Sequence, residues 1–167
     1  MQSLLPLAEK LGEMLKERGE TVVVAESSTG GLVSAALLSV PGASAYFLGG
    51  AVVYTLKARR LTLDVPDAAV KGIRSVTEEL ALILARAALK RFEASWGLAE
   101  VGAAGPAGNR YGDPAGHSCI AVVGPGIERT STVETGSSER VANMRAFSAA
   151  LLELFGQGLA AVPKPRA

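Results

Sequence analysis

Apolar side chains near the start of the chain fall at Leu4, Leu7, Ala8, Leu11, Met14 and Leu15, the i, i+3, i+4, i+7 spacing of one helix face. Gly19 supplies the stop, because glycine accepts the left-handed conformation that ends many helices. The period then changes. Thr21 to Ala25 contains three consecutive valines, which predicts a strand covered on both faces. A helix is expected from about Gly30 to Leu38, stopped by Pro41-Gly42, and a second buried strand within Tyr46 to Tyr54, with Gly49-Gly50 inside it. Thr55 caps a short helix that carries Lys57, Arg59 and Arg60. Ser75 or Thr77 caps a longer one reaching about Phe92, with Glu78 and Glu79 in the first turn, where acids complement the helix dipole. Leu98 to Val101 reads as a short strand and Gly102 to Gly116 as a Gly/Pro-rich loop. His117–Val123 with Arg129–Thr135 reads as a hairpin around Gly124-Pro125-Gly126. A last helix is expected from about Ser138 to Phe155.

Helices alternating with apolar strands, closed by a hairpin, predict an α/β fold. The expected form is a three-layer α/β/α sandwich with a mixed, mostly parallel sheet, and its site lies at the strand ends. The expected organisation is one domain over residues 1–155 and a flexible tail over 156–167.

Composition removes several classes of function. The formal net charge is only +1, from 17 Lys+Arg against 16 Asp+Glu, so bulk charge gives no grip on nucleic acid or an anionic membrane. One Cys and one His leave neither a disulfide scaffold nor a Cys/His zinc site, and no metal or cofactor is expected. Aromatic residues are 5%, too few for a stacking platform. No apolar run approaches the ~18–20 residues of a membrane span, and the N-terminus lacks a signal-peptide pattern, so a cytoplasmic protein is expected.

Chemistry concentrates in Ala25-Glu26-Ser27-Ser28-Thr29-Gly30-Gly31, between a buried strand and a helix. A helix start offers N–H groups and partial positive charge to a phosphate or an oxyanion, and hydroxyls crowd the same turn. The same residues also fit an ordinary hydroxyl-capped helix start. Two further segments stand out: Gly49-Gly50 with Tyr54 to Arg60, and Gly102 to Gly116, a long loop of a kind that is often functional. His117 fits a structural histidine at a strand start. Cys119 is expected to pack as a small hydrophobe, and Glu100, an acid in a short strand, to mark an exposed edge or an interface.

Four stretches together resemble the CinA C-terminal domain family: AESSTGG (25–31), SVPGASAYFLGGAVVYT (39–55), SVTEELALILA (75–85) and GAAGP…PAG (102–106, 114–116). They follow the family's order over about residues 5 to 155, in the manner of its stand-alone form. The resemblance implies a nicotinamide-nucleotide amidase, competence/damage-inducible by family association. Such an enzyme is a cytoplasmic homodimer that converts nicotinamide mononucleotide (NMN) to nicotinate mononucleotide and ammonia in NAD salvage, with a serine nucleophile. It implies Ser27 as nucleophile, with Tyr54 and Arg59 beside it. Substrate contacts are implied at Glu26, Ser28, Thr29, Gly30, Gly31, Gly105, Pro106, His117 and Arg140.

The chain departs from the family at the site itself. The family's cysteine is Ser28, the hydroxyl preceding its Gly-Ile-Ala-Gly-Pro is Val101, and the lysine thought to activate the serine is Arg59. A guanidinium stays charged and cannot serve as a base. Lys57 lies two residues away, roughly 200° around a helix, and is expected to face elsewhere. The alternative implied by Arg59 is a catalytically impaired family member that binds a pyridine nucleotide or a protein partner.

Overall fold

The computed structural model describes residues 1–165. Its elements are α1 (Leu5–Arg18), β1 (Val22–Glu26), α2 (Leu32–Leu38), β2 (Phe47–Val52), α3 (Leu56–Leu63), α4 (Glu78–Phe92), β3 (Trp96–Ala103), β4 (His117–Gly124), β5 (Ile127–Glu134) and α5 (Arg140–Ala161), with short 3-10 turns between them. The strands form one sheet in the order β2-β1-β3-β4-β5.

β1 pairs in parallel with β2 and β3, with Val24 opposite Gly50 on one side and Leu98 on the other. β3–β4 and β4–β5 are antiparallel. The ladders therefore divide evenly, and the closing hairpin makes the sheet less parallel than expected, although only β4 runs against the others.

The alternation of side chains along each strand sorts the core into two halves. Val22, Val24, Trp96, Leu98, Ile120 and Val122 face α1, α2 and α5. Val23, Ala25, Ala99, Val101, Cys119 and Ala121 face α4 and the end of α3. This is the expected three-layer sandwich. α4 sits close against β3 because Gly97 has no side chain: a Cβ there would meet the Ala85 carbonyl and lie 2.8 Å from Leu89 Cβ.

Three expectations change. β3 extends to Ala103, because Gly102 and Ala103 continue the ladder opposite Ser118 and His117. Glu100 lies on the central strand and is 0% exposed, so it marks neither an edge nor an interface. The last helix does not end at Phe155 and no tail begins at Gly156: α5 continues to Ala161. Gly156 and Gly158 act there as spacers, not as breakers. A Cβ at Gly158 would lie 3.4 Å from both Trp96 and Val122, and Leu159 beyond it is buried. Arg18 fastens this end by donating to the carbonyls of Val162 at 2.9 Å and Pro163 at 3.2 Å. Residues 166 and 167 of the expected tail lie outside the described residues.

Candidate active site

β1 delivers Glu26 on the side of the sheet that α2 covers, and the side chain turns back to cap that helix. Its Oε2 accepts the N–H of Gly31 at 3.0 Å and of Val33 at 3.1 Å. Its Oε1 accepts the N–H of Ser34 at 2.8 Å and its hydroxyl at 2.6 Å. A carboxylate at a helix start meets both the orphan donors and the positive end of the dipole.

A second carboxylate holds the turn from below. Glu100 Oε2 accepts the N–H of Ser27 at 3.1 Å, the N–H of Thr29 at 2.9 Å and the Thr29 hydroxyl at 3.0 Å. Glu100 Oε1 accepts the Ser28 hydroxyl, and the Ser118 hydroxyl at 3.2 Å. Gly102 makes room for this cluster, since a Cβ there would lie 2.5 Å from Ser28 Oγ and 2.7 Å from Glu100 Oε1. Burial raises the Glu100 carboxyl above the usual carboxylate range, and the hydroxyl and N–H donors of Ser28, Thr29 and Ser27 only partly oppose it.

These two acids correct the expected use of the helix start. The N–H groups of Ser27, Thr29, Gly31, Val33 and Ser34 end on Glu100 or Glu26, and that of Gly30 on the Ser27 carbonyl. They are committed to the protein's own acceptors before any phosphate or oxyanion arrives. None of the bonds that anchor the turn uses the Ser27 hydroxyl.

Ser27 opens onto a cleft of about 610 Å³ beyond the carboxyl ends of β1 and β3. Tyr54, Lys57 and Arg59 line it from the β2–α3 side, Ser75 and Val76 from the approach to α4, and Val101, Gly102, Asn109, Arg110 and Tyr111 from the end of β3 and the loop beyond. Three of these residues are cationic (Lys57, Arg59 and Arg110) and none is a carboxylate. Lys57 is expected from helix geometry to face away, but the cleft wraps the first turn of α3, so residues 54 to 57 and Arg59 reach it from several directions. Arg59 is 7% exposed and its Nε donates to the Val53 carbonyl at 3.4 Å. Burial lowers its guanidinium from the ordinary value, against the nearby Tyr111 charge, and an arginine remains protonated nonetheless.

Of the residues named from the sequence, Ser27, Tyr54 and Arg59 meet in this cleft. Glu26, Ser28 and Thr29 belong to the packed support beneath it, and neither the exposed Gly30 nor the half-buried Gly31 lines it. Gly105, Pro106, His117 and Arg140 do not line it. Arg140 Nη1 donates to the Gly105 carbonyl at 2.6 Å, and Asn143 Nδ2 to the Ala104 carbonyl at 2.8 Å, so this end of α5 pins the loop after β3. His117 Nδ1 meets Glu134 Oε1 at 2.5 Å, and its Nε2 lies 3.7 Å from Asp113 Oδ1.

Sequence reasoning missed Arg110, Tyr111 and Ser75 as cleft residues, and the role of Glu100. The length of the Gly102–Gly116 loop flagged the first pair's segment, and the oddity of an acid in an apolar strand flagged Glu100. No helix among the described residues is long and apolar enough to cross a membrane, and no group of three or more His, Cys, Asp or Glu among them is placed to hold a metal ion.

A family model described as the CinA C-terminal domain matches residues 4–159. The chain is 40% identical over 130 residues to a CinA-like protein of Prochlorococcus marinus (strain MIT 9313), covering 78% of this chain and 30% of that protein. It is 38% identical over 156 residues to a CinA-like protein of Myxococcus xanthus (strain DK1622), covering 90% and 36%. The chain thus spans about a third of the length of these curated relatives. A solved structure of the competence/damage inducible protein CihA from Agrobacterium tumefaciens superposes with a TM-score of 0.86 at 30% identity, over 94% of this chain and 95% of that one. A CinA superfamily protein from Klebsiella pneumoniae 700603 gives 0.89 at 26% identity, over 95% and 99%.

Proposed function

Because the chain belongs to the CinA C-terminal domain family, we propose that it is an amidohydrolase that deamidates nicotinamide mononucleotide to nicotinate mononucleotide and ammonia, with Ser27 as nucleophile. One observation carries the reading. In a turn whose other hydroxyls, those of Ser28 and Thr29, end on Glu100, the Ser27 hydroxyl is left to face a cleft lined by three cations and no acid. Such a cleft suits a ligand that combines a phosphate with an uncharged amide.

In this reading, Lys57 at the rim receives the phosphate, which fixes the carboxamide over Ser27. The Ser27 oxygen attacks the carboxamide carbon and ammonia leaves. Water then cleaves the resulting ester and restores the serine. In this reading the developing oxyanion meets the buried Arg59 guanidinium. A buried cation interacts more strongly there than one in water. The same reading carries a cytoplasmic site of action and a homodimer, which sedimentation tests.

The test is ammonia release from NMN by the purified protein, beside Ser27→Ala. Turnover lost in Ser27→Ala supports the reading; no release by the unaltered protein across a range of pH overturns it. A second reading, a catalytically impaired member that binds a pyridine nucleotide or a protein partner, is favoured by Arg59 alone, which puts a permanent cation where the family has an amine. Calorimetry separates the two: NMN bound without turnover favours the second.

A further inference from the structure

A serine nucleophile needs a proton acceptor, and most of this cleft's titratable groups are unsuited. Arg59 and Arg110 are permanent cations, and Lys57 is exposed at the rim on the first turn of α3. Glu26 and Glu100 are occupied by the turn, and His117 stands outside the lining, held by Glu134. Tyr54 and Tyr111 remain. Both are exposed, Tyr54 at 58% and Tyr111 at 38%, and no hydrogen-bond donor among the described residues meets the Tyr54 phenol.

Tyr111, by contrast, is presented by a built loop. Asn109 Oδ1 accepts the N–H of Tyr111 at 2.9 Å and of Asp113 at 3.2 Å, and Asn109 Nδ2 donates to Asp113 Oδ2 at 2.7 Å. Asp113 is buried and paired with Arg74, which anchors the loop to the segment before α4. The phenol oxygen is an acceptor here: Arg110 Nη2 donates to it at 2.8 Å.

We propose that Tyr111 is the catalytic base of this site, its phenolate taking the Ser27 proton as the serine oxygen attacks the carboxamide carbon. The assignment rests on the deamidase reading above. As the tetrahedral adduct collapses, the carbon–nitrogen bond breaks and the phenol passes its proton to the departing amine, which leaves as ammonia. The phenolate then takes a proton from water as the hydroxide attacks the ester carbon. When the carbon–oxygen bond to Ser27 breaks, that proton returns to the serine. One water is consumed, one carboxylic acid and one ammonia are formed, and no external reductant or oxidant enters.

The charged surroundings favour the phenolate. The Ser75 hydroxyl, the Arg110 guanidinium and, from α3, the Arg59 charge hold the phenol below its ordinary value against a small opposing effect of burial. Arg74 adds little, since Asp113 neutralises it.

Three variants test this with NMN as substrate: Tyr111→Phe, Arg110→Gln and Ser27→Ala, each checked for a native melting transition. Tyr111→Phe is expected to lose about 10²–10⁴ in kcat while NMN binding by calorimetry stays within about threefold. In the unaltered protein kcat/KM falls toward acid as the phenolate is protonated. Arg110→Gln removes a cation and moves that limb to higher pH. Full turnover in Tyr111→Phe overturns the assignment and leaves the deamidase reading standing. So does a loss of NMN affinity that matches the loss in turnover, or an acid limb that Arg110→Gln does not move. No ammonia from the unaltered protein overturns both.

Discussion

Glu100 is joined to Ser27 through the main chain: its carboxylate takes the Ser27 N–H at 3.1 Å, and the serine hydroxyl is left for the cleft. The neighbouring hydroxyls of Ser28 and Thr29 end on the same acid. One buried acid on a central strand thus fixes the position of the proposed nucleophile without touching its oxygen. Glu100→Ala strands several buried donors at once and is expected to cost about 3 kcal/mol of stability, read by urea denaturation. A cost near zero shows that the cluster reorganises around water.

The same acid sets a pH dependence of stability. Its folded-state pKa is raised by burial, so the folded protein holds this proton more firmly than the unfolded chain does. The contribution is therefore fully present below the ordinary carboxylate range and is lost as pH rises through the folded value. The hydroxyls permit the neutral form, since Ser118 has a second acceptor in the Val101 carbonyl at 3.1 Å. Denaturation of the unaltered protein and Glu100→Gln across acid to neutral pH is expected to show the difference between them shrinking as pH rises. A difference that grows with pH means that the carboxylate, not the acid, is the favoured form.

Much of this was legible from periodicity. Runs such as Val22-Val23-Val24 are buried on both faces whatever the details of packing, and the Thr77 cap with Glu78 and Glu79 behind it marks a helix start without tertiary help. What escaped depends on contacts distant in sequence. The family resemblance implied Glu26 as a substrate contact, yet its carboxylate fills the helix start. Glu100 looked like an edge residue because its partners lie 71 to 73 positions away, in the turn after β1. Arg110 and Tyr111 gave no periodic signal, since an irregular loop aims them by an asparagine turn and an ion pair to Arg74.

Arg59 is the cation placed deepest in the cleft, and its effect on chemistry is separable from its effect on binding. Arg59→Gln removes the charge assigned to the oxyanion in the proposed reaction and keeps a polar group of smaller size. The expected loss is about 10²–10³ in kcat, the size seen when one oxyanion donor is removed, with a smaller rise in KM for NMN. Steady-state kinetics at low and moderate salt read both. A change confined to KM assigns Arg59 to the phosphate and removes it from the reacting centre.

The end of the chain is held by a contact far from the site. Arg18, at the last turn of α1, pairs with Glu20 at 2.5 Å and donates to the carbonyls of Val162 and Pro163, while Glu20 accepts the indole N–H of Trp96 at 2.9 Å. The ring of Trp96 packs edge-on to Phe155, with centroids 5.5 Å apart. A chain ending at Phe155 therefore loses the buried Leu159, opens the Trp96 ring where Gly158 covers it, and leaves Arg18 without its carbonyl acceptors. Burial of one leucine is worth about 1.5–3 kcal/mol, and each lost hydrogen bond to a charged group adds about 1.5–3 kcal/mol. Truncation after Phe155 is expected to lower stability by about 3 kcal/mol or more, which for a domain of this size is a fall of roughly 6–12 °C in Tm. Trp96 is the chain's one tryptophan, so its fluorescence should shift to the red before the global transition. An unchanged melting curve and emission maximum mean that the last turns of α5 contribute nothing, and that the chain beyond Phe155 is a tail in the energetic sense although it is helical.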